Sequence, residues 1–144
     1  DDSLVDHIAQ LIRANGFPAD RLGFEVTETA AIANISAARG FAERLRQVGC
    51  RLALDDFGSG FGSFYYLKHM PFDCVKIDGD FIKDLPTSQT DRLTVRAIVD
   101  IAQGLGKTTI AEFVQDEATL DLLRDLGVDF AQGYHVGHPA PATA

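Results

Sequence analysis

Two adjacent carboxylates, Asp55 and Asp56, follow the apolar run Leu52-Ala53-Leu54, and Gly58, Gly60 and Gly62 come directly after them. Carboxylates at the end of a buried strand suit a hard divalent cation. A glycine-rich loop lets backbone N–H groups approach a phosphate closely, which makes Gly58, Ser59 and Gly60 candidate substrate-binding positions. An acidic strand end followed by a flexible turn fits the same residues. The rest of the chain bears on the choice. Glu25, Thr27 and Glu28 lie near the end of strand-like 22–28, Lys76 and Asp78 near the end of 74–78, Glu112 in 108–114 and Gln132 in 129–133. Polar side chains able to hold metal or phosphate thus recur at the same end of five strand-like segments. In a parallel barrel that is the end where loops from different strands converge on an active site. A single Glu or Lys there is ordinarily a solvated rim residue; five in succession predict a convergent polar site.

The segments that must position these groups alternate between helix and strand patterns. Leu4, Val5, Ile8, Leu11 and Ile12 form one helical stripe over 2–15, stopped by Gly16. A second helix is predicted over 35–48 with Gly49 as its stop, a short one around 61–69, and others over 90–105 and 116–126. Strands are predicted over 22–28, 51–56, 74–78, 108–114 and 129–133, with a turn at 137–141. Short apolar strands bounded by turns and separated by helices predict an α/β fold with a parallel sheet. Nothing in the sequence marks a linker or a second domain.

Composition narrows the partners. The 144 residues are 46% hydrophobic and 24% charged, as expected of one globular domain. No apolar run approaches the roughly 20 residues needed to span a bilayer. A net charge of −8 argues against general DNA or RNA binding through phosphates, but clustered carboxylates can hold cations that reverse the local sign. Cys50 and Cys74 suggest no disulfide framework, which makes a reducing cytoplasm the expected setting. His7, His69, His135 and His138 share no metal-ligand spacing.

The blocks FEVTET, LALDDFGSGFGSFYYLKHMPFDCVKIDGDFI and IAEFVQDEATLDLLRDLGVDFAQGYHVGHPAP resemble, in order, signatures of the EAL domain family of bacterial cyclic di-GMP phosphodiesterases. The resemblance runs from about Leu22 to Pro141 and implies a TIM-like (β/α) barrel with one antiparallel strand. This chain would supply about the last five strands with their helices. It implies cyclic di-GMP as substrate, hydrolysed to the linear dinucleotide pGpG, and Mg²⁺ or Mn²⁺ in a two-metal site. Glu25, Asp55, Asp56 and Glu112 match metal-site carboxylates, Lys76 a lysine near the attacking water, Gln132 a glutamine that orders the site, and Glu28 a glutamate that anchors the loop after the aspartates. Two cations about 4 Å apart activate water and neutralise phosphate oxygens, and a lysine adds positive charge near the transition state. Partner GGDEF or sensor domains in the parent protein are further implications.

Other roles compete with these. Glu28 is also a candidate helix cap, Lys76 a strand lysine paired with an aspartate, and Asp78 either a turn residue before Gly79 or a substrate contact. The chain departs from the family pattern in lacking the Glu-Ala-Leu signature and the early asparagine strand, both sources of metal ligands. It also reads Ala-Glu-Phe-Val-Gln-Asp where the family reads Ala-Glu-Gly-Val-Glu-Thr, so Phe113 replaces a glycine and Gln115 a carboxylate. The expectation is a single partial EAL domain over 1–144, inactive in isolation, whose open strand edges invite self-association. A degenerate module that binds cyclic di-GMP without hydrolysing it is the alternative, as is a dimerising or regulatory half-barrel.

Overall fold

The computed structural model describes residues 2–16, 23–58, 67, 68, 70–133 and 137–141. Helix α1 (Asp2–Asn15) precedes strand β1 (Gly23–Thr27), helices α2 (Glu28–Ala33) and α3 (Ile35–Val48), and strand β2 (Arg51–Phe57). Strand β3 (Cys74–Ile77) leads through a 3₁₀ turn (Gly79–Phe81) to helix α4 (Gln89–Gly104) and strand β4 (Thr108–Ala111). Helix α5 (Glu117–Leu126) and strands β5 (Phe130–Gly133) and β6 (Gly137–Pro141) follow. The short helix expected around 61–69 falls mostly outside the described residues; 67 and 68 are helical.

Local chemistry explains the boundaries. Thr27 Oγ1 accepts the Ala30 N–H at 3.1 Å, so the residue that ends β1 also opens α2. Asn34, Ser88 and Asp116 cap α3, α4 and α5 in the same way, accepting N–H groups that the first helical turn leaves without partners. Gly49 and Gly127 stop α3 and α5 at φ of +96° and +89°, a left-handed conformation that costs glycine nothing.

The sheet runs β1-β2-β3-β4-β5-β6, with β1 to β5 parallel and β6 antiparallel to β5. The sixth strand corrects the turn expected at 137–141. Two prolines in Gly137–Pro141 argue against a central strand, but an edge position tolerates them. Among the described residues no helix is long and apolar enough to cross a membrane.

Pairing register decides which side chains share a face. Thr27 lies beside Asp55, Lys76 beside Ile110, and Ala111 beside Ala131. Alternation along each strand then puts Leu52, Leu54, Val75, Ile77, Thr109, Ala111 and Ala131 on one face, and all are buried. Helix α3 packs on β2, and α4 on β3 and β4, over this face. Leu45, Leu54, Ile77, Val95, Val99 and Leu123 are essentially sealed there. Burying one such side chain contributes about 1.5–3 kcal/mol. The opposite face carries Glu25, Thr27, Lys76, Ile110, Phe130 and Gln132, none of them buried. The functional candidates therefore lie on the face that the helices leave uncovered.

At the far end of the strands one device occurs twice. Asp73, just before β3, accepts the Leu52 N–H of β2 at 2.7 Å. Asp129, just before β5, accepts the Thr109 N–H of β4 at 2.9 Å, and Thr109 Oγ1 accepts the Asp129 N–H in return at 3.2 Å. Each aspartate satisfies a strand-start donor that would otherwise be buried unpaired. Asp129→Ala should therefore cost about 1–3 kcal/mol in urea unfolding. Binding at the other end of the strands should be unchanged, and a wild-type unfolding midpoint would refute the role given to Asp129.

Candidate metal and phosphate site

Strict alternation would send Asp55 to the uncovered face and Asp56 back among the buried side chains. The β2–β3 register shows how this is avoided. Leu54 pairs with Val75 and Phe57 with Ile77, so three steps along β2 match two along β3. The extra residue falls at Asp55-Asp56, opposite Lys76, and Asp56 takes a φ of +53°. Such a bulge sets two residues against one and re-aims a side chain. Aspartate tolerates the left-handed conformation better than most residues. As a result Asp55, Asp56 and Glu112 offer carboxylate oxygens that all lie within 4.8 Å of one another. Glu112 stands one residue beyond β4, which ends at Ala111, earlier than the expected 114.

The electrostatics of this cluster are those of too many negative charges in one place. Burial, a hydrogen bond shared with Asp55, and the Asp55 charge push the Glu112 carboxyl up to about 8. Burial opposes ionisation of Asp55 as well, but the hydrogen bonds from Glu112 and from the Asp56 N–H, with Lys76 nearby, outweigh it and hold Asp55 below the ordinary range. Asp56 is raised by burial and by the charges of Asp55, Asp78 and Glu25. Glu112 Oε1 is buried without a donor among the described residues. Three oxygen donors, one of them lacking a partner, fit a hard divalent cation.

Lys76 does not neutralise the trio. Its ammonium is ion-paired and hydrogen-bonded to Glu25 Oε1 across β2. Burial disfavours the Lys76 charge, yet the bonded Glu25, with Glu112 and Asp55, keeps its ammonium above the ordinary lysine range. Glu25 is thus brought to Lys76, while the carboxylates brought together with metal-ligand spacing are Asp55, Asp56 and Glu112. The sequence offered no sign of this division, because Glu25 and Lys76 lie 51 residues apart.

The surrounding loops are tied to one another. Glu28, the first residue of α2 and 4% exposed, accepts the Gly58 N–H through Oε2 at 2.6 Å. Thr27, not Glu28, supplies the capping oxygen of that helix. Asp78 Oδ1 accepts the Asp80 N–H at 3.0 Å and caps the 3₁₀ turn, while the Asp78 N–H donates to Phe57 O at 3.2 Å. Its carboxylate nonetheless faces the site closely enough to raise Asp56. Gln132 sits on β5, its carbonyl accepting the Val114 N–H at 3.0 Å. Ser59 and Gly60 lie outside the described residues. Phe113 takes a φ of +60°, is 53% exposed, and lays its ring against Gly79, where an added Cβ would come within 1.8 Å of Phe113 Cδ2.

Comparison with known proteins agrees with this fold. The family model described as "EAL domain" matches residues 1–139. The chain is 41% identical over 140 residues to the Shewanella oneidensis protein named cyclic di-GMP phosphodiesterase PdeB, covering 97% of this chain and 16% of that protein. Among solved structures it resembles PaMucR phosphodiesterase in a c-di-GMP complex, with a TM-score of 0.88 at 35% identity, over 97% of this chain and 57% of that one. Klebsiella pneumoniae BlrP1, in a manganese and cyclic di-GMP complex, is similar with a TM-score of 0.86 at 30% identity, over 96% of this chain and 35% of that one. The chain thus spans a small part of its curated relative and just over half of the first of these structures. On the family match and the identity across nearly all of its length, the chain belongs to the EAL domain family.

Proposed function

We propose that this chain supplies the Asp55–Asp56–Glu112 side of a site that hydrolyses cyclic di-GMP to pGpG, in a domain completed by the strands that bear the family's early ligands. The observation that carries this reading is the bulge that gathers three carboxylates within 4.8 Å beside a lysine held by Glu25. Two divalent cations, when bound, polarise phosphate oxygens and activate water for in-line attack. The chain's own residues do the rest. Asp55, Asp56 and Glu112 would hold the cations, with Asp55 in the bridging role that the family resemblance implies and Glu25 adding a carboxylate on the Lys76 side. Lys76, oriented by its bond to Glu25, lends positive charge to the phosphoryl oxygens as the bond to the leaving ribose oxygen breaks. Glu28 holds the start of the loop after the aspartates by accepting the Gly58 N–H. Gln132 orders the site from β5, and Asp78 reaches the substrate from the turn after β3. The outer edge of β1 is where further strands or a second copy would pair, and attached GGDEF or sensor domains would regulate the activity in a bacterial cytoplasm.

A second reading rests on Phe113. A half-exposed phenyl ring at a glycine-favouring φ, one residue from Glu112, packs on Gly79 in the turn after β3. A module of this kind would bind the cyclic dinucleotide as a receptor without turning it over.

Chromatography of nucleotides after incubation with the complete domain separates the two. With Mg²⁺ or Mn²⁺ the product is pGpG; chelation or substitution by Ca²⁺, whose bonds are longer and looser, stops it. Asp55→Asn should lower turnover at least about 100-fold, since second-shell changes alone reach that scale. Glu28→Ala should do less, acting through the loop. Turnover that survives chelation or Asp55→Asn would refute the metal role given to the carboxylate cluster, while tight binding without turnover would favour the receptor.

The Glu112 carboxyl gives a metal-free test. Its folded-state value of about 8 lies above the ordinary 4.5, so the folded protein keeps a proton that the unfolded chain has released. Its contribution is fully present below about 4.5 and is lost as pH rises toward 8. Glu112→Gln should therefore raise the melting temperature of the metal-free protein more at pH 8 than at pH 5, while weakening Mn²⁺ binding. An equal change at both pH values would show that Glu112 titrates normally.

Phe113 yields a comparison of two variants that both lose the ring. Phe113→Gly also sheds the left-handed strain, whereas Phe113→Ala keeps it. The glycine variant should be more stable than the alanine variant by about 1 kcal/mol. Equal unfolding free energies would mean that the backbone at 113 is unstrained.

A further inference from the structure

The bulge at Asp55-Asp56 ends in Gly58, and three contacts converge on that residue's immediate surroundings. The Glu28 carboxylate takes the Gly58 N–H at 2.6 Å. The Asp78 N–H donates to the carbonyl of Phe57 at 3.2 Å. The third contact is with the Phe81 ring. A Cβ added to Gly58 would lie 2.5 Å from Phe81 Cε2 and 3.3 Å from both Cδ2 and Cζ, so the edge of the ring occupies the space a side chain would need. Gly58 has a φ of +102°, which already excludes most other residues.

We propose that Phe81 is a positioning residue for the metal-binding aspartates, acting through Gly58. The proposal rests on the phosphodiesterase reading for its purpose, but its geometry stands without any metal. Phe81 is placed by the 3₁₀ turn, in which its own N–H donates to Asp78 O at 3.0 Å. Its ring is partly buried against the core, so it is a stop rather than a mobile cover. The Gly58 backbone is held between that ring and Glu28, two residues after Asp56.

The same arrangement repeats one strand further on. The Phe113 ring lies against Gly79, the first residue of the turn that carries Phe81. Ring-on-glycine contacts therefore run from the end of β4 to the turn after β3, and from that turn to the loop after β2. One end of this series is bonded in sequence to Glu112, the other lies two residues from Asp56. Packed contacts of this kind leave little room for sliding, because ring and backbone already touch. The series sets the spacing between Glu112 and the aspartate pair, and Phe81 is its middle member.

The test uses the complete domain with Phe81→Leu, which removes the ring, and Phe81→Tyr, which keeps it. Two readouts are taken: hydrogen exchange at the Gly58 amide in metal-free protein, and Mn²⁺ affinity by electron paramagnetic resonance titration. Phe81→Leu should speed Gly58 exchange about tenfold beyond any change in core amides such as Ile77. It should weaken Mn²⁺ binding about tenfold, the scale found for groups that orient metal ligands. Phe81→Tyr should restore both to within about twofold of wild type. Wild-type behaviour of Phe81→Leu overturns the proposal, as does Gly58 exchange that rises only in step with the core, or a tyrosine variant as damaged as the leucine one. Failure of Mn²⁺ to bind even the wild-type protein would refute the metal reading instead, and the Gly58 exchange rates would still decide the role of Phe81.

Discussion

One extra residue in β2 is the constraint on which the site depends. A parallel strand with perfect alternation presents every second side chain to the same face, so adjacent aspartates would be divided between the uncovered face and the helix-covered core. Burying a carboxylate beside Leu54 and Phe57 without partners would cost several kcal/mol. The three-for-two register between Leu54/Phe57 and Val75/Ile77 removes that conflict. It lets Leu54 and Phe57 both stay buried while the two residues between them meet Glu112. The bulge thus serves packing and chemistry together, at the expense of one left-handed backbone at Asp56.

Charge balance then explains why the cluster suits a cation. Lys76 faces four carboxylates, Glu25, Asp55, Asp56 and Glu112, and its direct bond goes to Glu25. The remaining three repel one another, and the least costly response without a cation is to keep a proton, which the raised Glu112 does. A bound divalent ion would do the same work without protonation and would leave all three as anions. The buried Oε1 of Glu112 would gain a partner in the same event.

How much of this was legible in the sequence follows from the range of each interaction. The end of α3 was readable because Gly49 acts within four residues of its targets. The order of the strands and their parallel pairing followed from alternation of short apolar segments with helices. The strand-end positions of Glu25, Asp55, Lys76, Glu112 and Gln132 were visible for the same reason. The bulge was not, because register is a relation between two strands and neither sequence states it alone. Nor was the Lys76–Glu25 pair, or the contact of Phe81 with Gly58, since both join residues distant in the chain. The antiparallel β6 was masked by its prolines, which argue for a turn unless the edge position is known. Glu28 was legible as either cap or anchor. Only the position of Thr27 Oγ1, which takes the capping role, leaves the Glu28 carboxylate for Gly58.

Glycine placement joins these observations. Gly49 and Gly127 end helices, and the demand there is for a backbone angle alone. At Gly79 the demand is space, because the Phe113 ring occupies the place of a side chain; at Gly58 both demands coincide. Phe113 inverts the logic: a bulky residue holds a φ of +60°, and its ring fills the room over Gly79. Strain at one residue is therefore offset by packing on the next loop, and the backbone beside Glu112 is fixed by a side-chain contact rather than left to glycine's freedom. A site whose carboxylates repel one another has to be held from outside. In this chain the restraint comes from rings pressed onto glycines and from one buried glutamate.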